Sequence, residues 1–214
     1  MALALLIFDC DGVILESVDC KSRAFERIGR DYGLDAGEAL LQYHLAHGGV
    51  NRVEKFDWFF REVLGREITP EEMNDLKRKF VDYALDEIRA SAPVPGVLDV
   101  LERWKGRVPM YVASGAPHDE LNEILKQKNL AAYFTGIYGA PPGKTELLRT
   151  ILRGTGLPAS ETLMIGDSDT DRYAAEAVNA CFYGRGEGFK HSPWPWHHDL
   201  TKLNDFLEEM HRRH

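Results

Sequence analysis

Leu5-Leu6-Ile7-Phe8 is an unbroken apolar run that stops at Asp9-Cys10-Asp11-Gly12. A short run of this kind, with no polar alternation, predicts a strand buried on both faces in a parallel sheet. After Gly12 the period changes from strand to helix and stays helical to about Ser91. Ser17 is positioned to cap a helix reaching Ile28, and a second helix is expected over about 37–44. Phe56, Phe59, Phe60, Val63 and Leu64 follow the i, i+3, i+4, i+7, i+8 spacing of an amphipathic helix, with Gly65 as its stop. Thr69-Pro70-Glu71-Glu72 then combines an N-cap residue, proline at the first helical position and glutamate at the third. Met73, Leu76, Phe80, Ala84 and Ile88 carry the stripe of the helix that follows. This aromatic-rich stretch reads as the core of a small helical bundle.

Ala92-Pro93-Val94-Pro95-Gly96 breaks the pattern and reads as a boundary. Beyond it strands and helices alternate. Helices are expected over 97–104, 117–128, 144–152 and 169–178, and strands over 109–113, 136–139, 162–165 and, as the last, 180–183. Leu200, Leu203, Phe206, Leu207 and Met210 suggest a final amphipathic helix docked on the sheet. Such alternation implies βαβ units, right-handed crossovers and a parallel sheet. The organisation is then an α/β core domain made of residues 1–15 and 93–214, with a helical domain, residues 16–92, inserted after the first strand. No internal repeat interrupts this division.

Composition narrows the partners. The formal net charge of −8 over 214 residues argues against a nucleic-acid or membrane-surface binder. No segment is long and apolar enough to span a bilayer, and the apolar start is too short for a signal peptide and has no cleavage site. Three cysteines without a CxxC pair give neither a disulfide framework nor a thiolate zinc site, which fits a reducing, cytoplasmic setting. Cys10 has no histidine near it in sequence and reads as a strand-end residue. The adjacent histidines at the end of His191-Ser192-Pro193-Trp194-Pro195-Trp196-His197-His198 lack the i, i+4 spacing of a helical ligand pair.

The polar residues that matter fall where predicted strands end: Asp9 and Asp11, then Ser114, then Lys144, then Asp167 with Asp171. In a parallel sheet those carboxyl ends share one edge, where open α/β sheets place their sites. Carboxylates so close repel unless a cation lies between them or one holds a proton. Four carboxylates with a hydroxyl and an ammonium make poor packing material and a good oxygen cage for Mg²⁺. These motifs resemble those of the haloacid dehalogenase superfamily: Asp9-Cys10-Asp11-Gly12 matches its DxDG motif, and Val112-Ala113-Ser114-Gly115 its strand ending in Ser or Thr. Lys144 matches its lysine, and Gly166-Asp167-Ser168-Asp169-Thr170-Asp171 its GDxxxD motif, all in order.

The resemblance implies a Rossmann-like parallel sheet sandwiched by helices, with a helical cap inserted after the first motif. It also implies a Mg²⁺-dependent phosphomonoester hydrolase in which Asp9 attacks phosphorus and forms an aspartyl-phosphate. Asp11 then serves as acid and base, with its backbone carbonyl reaching the metal. Ser114 and Gly115 hold the phosphoryl oxygens, Lys144 offsets negative charge, and Asp167 and Asp171 serve the metal alongside Asp9. In the cap, His47-Gly48-Gly49-Val50-Asn51-Arg52 is similar to a substrate-contacting stretch of β-phosphoglucomutases. Gly48, Gly49 and Arg52 become candidate contacts to a small phosphorylated metabolite, a phosphoglycolate-like acid or a sugar phosphate, with Lys55 adding a second positive charge. Lys21 stands where the mutases have a histidine, which favours hydrolysis over a phosphomutase reaction. A catalytically silent binding protein on the same fold is the alternative of another class. A monomer or weak homodimer is expected.

Overall fold

The computed structural model describes residues 3–47 and 52–212. The chain divides into two compact units, Met1–Glu16 with Ala92–His214, and Ser17–Ser91.

In the first unit β1 (Leu5–Phe8), β2 (Met110–Pro117), β3 (Gly136–Ala140), β4 (Thr162–Gly166), β5 (Cys181–Arg185) and β6 (Trp196–His197) form one sheet. Its strand order is β3-β2-β1-β4-β5-β6, and every pairing is parallel. This is the common doubly wound order: the chain builds outward from β1 to β3, then restarts on the other side of β1 with β4. The crevice at the carboxyl ends of β1 and β4 is therefore the topological switch point, where such sheets bind ligands. Phe8 lies opposite Ile165 in the β1–β4 register, and the backbone N–H of Asp9 extends the ladder to the carbonyl of Ile165 at 2.9 Å. Asp9 thereby stands opposite Gly166, one residue before Asp167.

The helices of this unit are α5 (Val97–Trp104), α6 (His118–Gln127), α7 (Lys144–Thr155), α8 (Asp169–Ala177) and α9 (Leu203–Arg212). Leu5 and Ile7 point to one face of the sheet and pack with Leu147, Leu148 and Ile151 of α7 and Ala174 and Ala175 of α8. Leu6 and Phe8, on the other face by strand alternation, are buried as well. Burial on both faces is why the run carries no polar alternation. Trp104, fully buried at the end of α5, donates from Nε1 to Asn204 Oδ1 of α9 at 3.0 Å.

The second unit is helical. It holds α1 (Cys20–Arg30), α2 (Leu34–Ala46), α3 (Arg52–Trp58) and α4 (Pro70–Ala90), with α3 running into a π turn over Phe59–Val63. Phe25, Phe56, Phe59, Phe60, Leu76 and Phe80 form its core. The capping box at Thr69 is formed as its residues predict, Glu72 N donating to Thr69 Oγ1 and Thr69 N to Glu72 Oε2. Gly65, two residues after the π turn and before Thr69, has φ +68°, the left-handed geometry that ends a helix.

Several expectations are corrected. Ser17 does not cap α1: the N-cap position belongs to Asp19, and Ser17 offers its backbone carbonyl to Cys20 N at 3.0 Å. The second helix begins at Leu34 and runs past His44 to Ala46. The strand at Cys181–Arg185 is not the last, because Trp196–His197 adds an edge strand too short to show a period. Pro117, expected to open a helix, instead ends β2, and α6 begins at His118. No helix among the described residues is long and apolar enough to cross a membrane.

Candidate active site

The carboxyl edge of the sheet gathers most of the sequence-predicted residues. Asp9, directly after β1, is 5% exposed, and Asp171, in the first turn of α8, is fully buried. One carboxylate oxygen each from Asp9, Asp167 and Asp171 lie within 4.8 Å of one another. Lys144, the first residue of α7, reaches into this cluster. Its Nζ lies 3.0 Å from Asp9 Oδ1 and is also bonded to Asp171 Oδ1. The contact with Asp9 lacks the alignment of a hydrogen bond, so Asp9 Oδ1 is buried with its charge opposed but its hydrogen-bonding capacity unused.

Asp171 is held on its other side too. Ser168 donates to its Oδ2 from both the backbone N, at 3.1 Å, and Oγ, at 2.6 Å. With both oxygens engaged, Asp171 holds Lys144 in place, and the open carboxylate oxygens face from Asp9 and Asp167. Ser168 escaped the sequence reading, although Ser168-x-x-Asp171 has the spacing of a helix-opening capping pair. Gly166 is a second such residue: a Cβ built there falls on Asp171 Cβ and 2.8 Å from Oδ2. Gly166→Ala should therefore displace Asp171 and loosen Lys144, costing about 1–3 kcal/mol of stability and about 10²-fold in activity. Thermal unfolding and turnover measured together would check both.

The electrostatics follow from crowding. Burial first, and the Asp171 charge second, hold the Asp9 carboxyl above its ordinary value against the opposing pull of Lys144. The same two causes raise Asp167 to about 6. Lys144 is held above its ordinary value because Asp9 and Asp171 together outweigh the cost of its burial. Hard carboxylate oxygens, two of them open and one lacking a hydrogen-bond partner, suit a divalent cation such as Mg²⁺. A cation binding there displaces the protons that Asp9 and Asp167 otherwise keep. Its apparent affinity should therefore tighten as pH rises from about 6 to 8. Mg²⁺-dependent thermal shifts across that range test this, and a pH-independent shift would contradict it.

Asp11 is half-buried and lies in a tight turn that Gly12 makes possible at φ +71°. Its side chain is not among the clustered carboxylates. Ser114, near the end of β2, is fully buried, and its Oγ accepts from Ala116 N at 3.1 Å. The next residue, Gly115, is exposed, and a Cβ there would meet nothing within 4 Å.

The helical-unit candidates are less complete. Gly48 and Gly49 lie outside the described residues. Arg52 opens α3, is exposed, and leans its guanidinium over the Phe80 ring at 5.4 Å. Lys55 is corrected: it is no surface charge beside Arg52 but is 1% exposed, and its Nζ donates to His44 Nδ1 at 2.8 Å. Burial lowers its basicity, and His44, whose ring lies 4.5 Å from that of Phe25 at a 30° tilt, is lowered by its own burial and then by Lys55 and Lys21.

Comparison with known proteins agrees with the architecture. The model of the haloacid dehalogenase-like hydrolase family matches residues 3–179. A 5'-nucleotidase of Pseudomonas aeruginosa is 26% identical over 215 residues, covering 95% of each chain. A phosphoglycolate phosphatase of Pseudomonas fluorescens is 26% identical, covering 87% of this chain and 71% of that one. The crystal structure of a HAD-superfamily hydrolase, subfamily IA, from Geobacter sulfurreducens superposes with a TM-score of 0.73 at 22% identity, covering 96% of both chains, which is a likeness of fold.

Proposed function

The chain belongs to the haloacid dehalogenase-like hydrolase family, and from that premise we propose that it is a Mg²⁺-dependent phosphomonoester hydrolase acting through an aspartyl-phosphate on Asp9. The observation that carries this reading is the placement of Lys144 between buried Asp9 and Asp171, with Asp167 alongside. A carboxylate at a strand end, opposed by a fixed ammonium, is a nucleophile held at the switch point of the sheet.

Asp9 attacks phosphorus, and the P–O bond to the leaving group breaks as Asp11 gives its proton to the departing oxygen. Asp11, now a carboxylate, takes a proton from the water that attacks the aspartyl-phosphate. Inorganic phosphate leaves and Asp9 is regenerated. Lys144 offsets the charge that accumulates on Asp9 and the phosphoryl oxygens, and Ser114 and Gly115 offer donors to those oxygens. Asp9 and Asp167, with the backbone carbonyl of Asp11, would hold the Mg²⁺, while Asp171 fixes Lys144. When bound, the cation supplies neutralisation of the phosphoryl group and of the acidic cluster.

The helical unit serves as the cap and Arg52 as a grip on a second anionic group of a small metabolite. The names of the two relatives support a phosphate ester and differ on the leaving group. Arg52→Ala should raise KM for an anionic substrate by about tenfold and leave a neutral aryl phosphate nearly unchanged; equal effects would remove Arg52 from recognition. The function itself is tested by phosphate release from phosphoglycolate, sugar phosphates, nucleotides and an aryl phosphate, with Mg²⁺ and with EDTA. Mg²⁺-dependent release supports the reading. Isomerisation of a sugar phosphate without release would make it a mutase, and no reaction with any compound would leave a binding protein.

A further inference from the structure

Arg185 closes β5 at the same sheet edge as the acidic cluster: Gly184 stands opposite Gly166 in the register, so Arg185 stands opposite Asp167. Its charge acts on Asp167, partly opposing the rise in that carboxyl's pKa, and on Asp199 as well. Its bonded partner lies elsewhere. Nη2 donates to Glu16 Oε1 at 2.6 Å, with the arginine side chain 14% and the glutamate 39% exposed. Nε is buried and has no hydrogen-bond partner, so Glu16 is the contact that orients the guanidinium.

Glu16 ends the turn that carries Asp11. The carbonyl of Cys10 accepts from the N–H groups of Val13, Ile14 and Leu15, Gly12 N donates to the carbonyl of Leu15, and Asp11 bridges to Leu15. Residues 10–15 thus form one closed loop. Glu16 pins its outgoing end twice, by its N–H to the carbonyl of Ala92 at 2.9 Å and by its side chain to Arg185. We propose that the Glu16–Arg185 pair is a positioning device: it ties the Asp11 turn to the end of β5 and so fixes Asp11 relative to Asp9 and Asp167. Nothing in the sequence pattern marked Arg185, because its partner is 169 residues away.

This inference rests on the proposed role of Asp11 as proton donor to the leaving group. The arginine is mostly buried and the glutamate partly exposed, so the readout must separate a change in where Asp11 sits from a loss of folded protein, and a substrate that does not need the acid provides that control. A misplaced acid harms a substrate with a basic leaving group, which needs the proton, and spares one whose leaving group departs as a stable anion. The experiment compares kcat/KM, which reports the steps through aspartyl-phosphate formation, for the best alkyl phosphate found and for p-nitrophenyl phosphate. Glu16→Gln and Arg185→Met should each lower the alkyl value by about tenfold and the aryl value by less than about twofold. The double variant should match the worse single variant, since both break one device. Equal losses on both substrates, no loss on either, or additive losses would overturn the positioning role while the hydrolase reading stands. A wild-type protein that releases phosphate from neither substrate would instead sink the hydrolase reading and this inference with it.

Discussion

Asp9→Asn should abolish turnover, by about 10⁴-fold or more, because the amide offers phosphorus no anionic nucleophile and the covalent route is lost. The fold should survive and gain slightly in stability. Burial and the charge of Asp171 disfavour the Asp9 anion, so a neutral isostere removes a group the native state tolerates poorly. A carboxyl held above its ordinary value contributes stability that is present at low pH and lost as pH rises through its folded value. The gain from Asp9→Asn in metal-free protein should therefore be larger at pH 8 than at pH 4. Rates and thermal unfolding at the two pH values separate the catalytic loss from the structural gain; native-like turnover would refute the nucleophile assignment.

Lys144→Met should have the second-largest effect, and here activity and stability fall together. Its ammonium is the counter-charge for Asp9 and is bonded to Asp171, with its side chain 7% exposed. Removing one partner of a buried charge group leaves the others uncompensated, a loss of about 3–5 kcal/mol. Catalysis should fall by about 10²–10³-fold, as when one fixed electrostatic contact to a developing charge is removed. The pH dependence is again set by Asp9. Without Lys144 its carboxyl rises further and holds a proton at low pH, which moderates the loss there. The destabilisation should grow as pH rises above about 8, the value the carboxyl holds with Lys144 in place, as denaturant melts would show. A loss that shrank with rising pH would contradict the arrangement of charges described.

The parts of this molecule legible in its sequence are those that local chemistry dictates. Leu5–Phe8 is buried on both faces and reads as an uninterrupted apolar run. Thr69 and Glu72 bond each other within one turn and read as a cap. Asp9, Ser114, Lys144 and Asp167 stand at or just after strand ends or at a helix start, so the alternation of elements sends them to one edge.

What the sequence concealed depends on partners far along the chain or on space. Lys55 looks like a surface charge, and only the packing of α2 against α3 turns it inward onto His44. Gly166 looks like one more turn residue until the closeness of Asp171 gives its missing side chain a reason. The edge strand Trp196–His197 is two residues long, too short for any period to register. The bonds that engage both oxygens of Asp171 were likewise hidden. They come from Ser168, three residues back, and from Lys144, whose place beside Asp171 depends on the packing of α7 and α8.

If Asp9 carries the phosphoryl group during turnover, acid quenching of the enzyme in the steady state with labelled substrate should trap it there. An acid-stable, hydroxylamine-sensitive phosphate should appear on the protein, mapped by peptide analysis to Asp9 and absent from Asp9→Asn. Sustained phosphate release with no label on the protein at any quench time would contradict that role of Asp9.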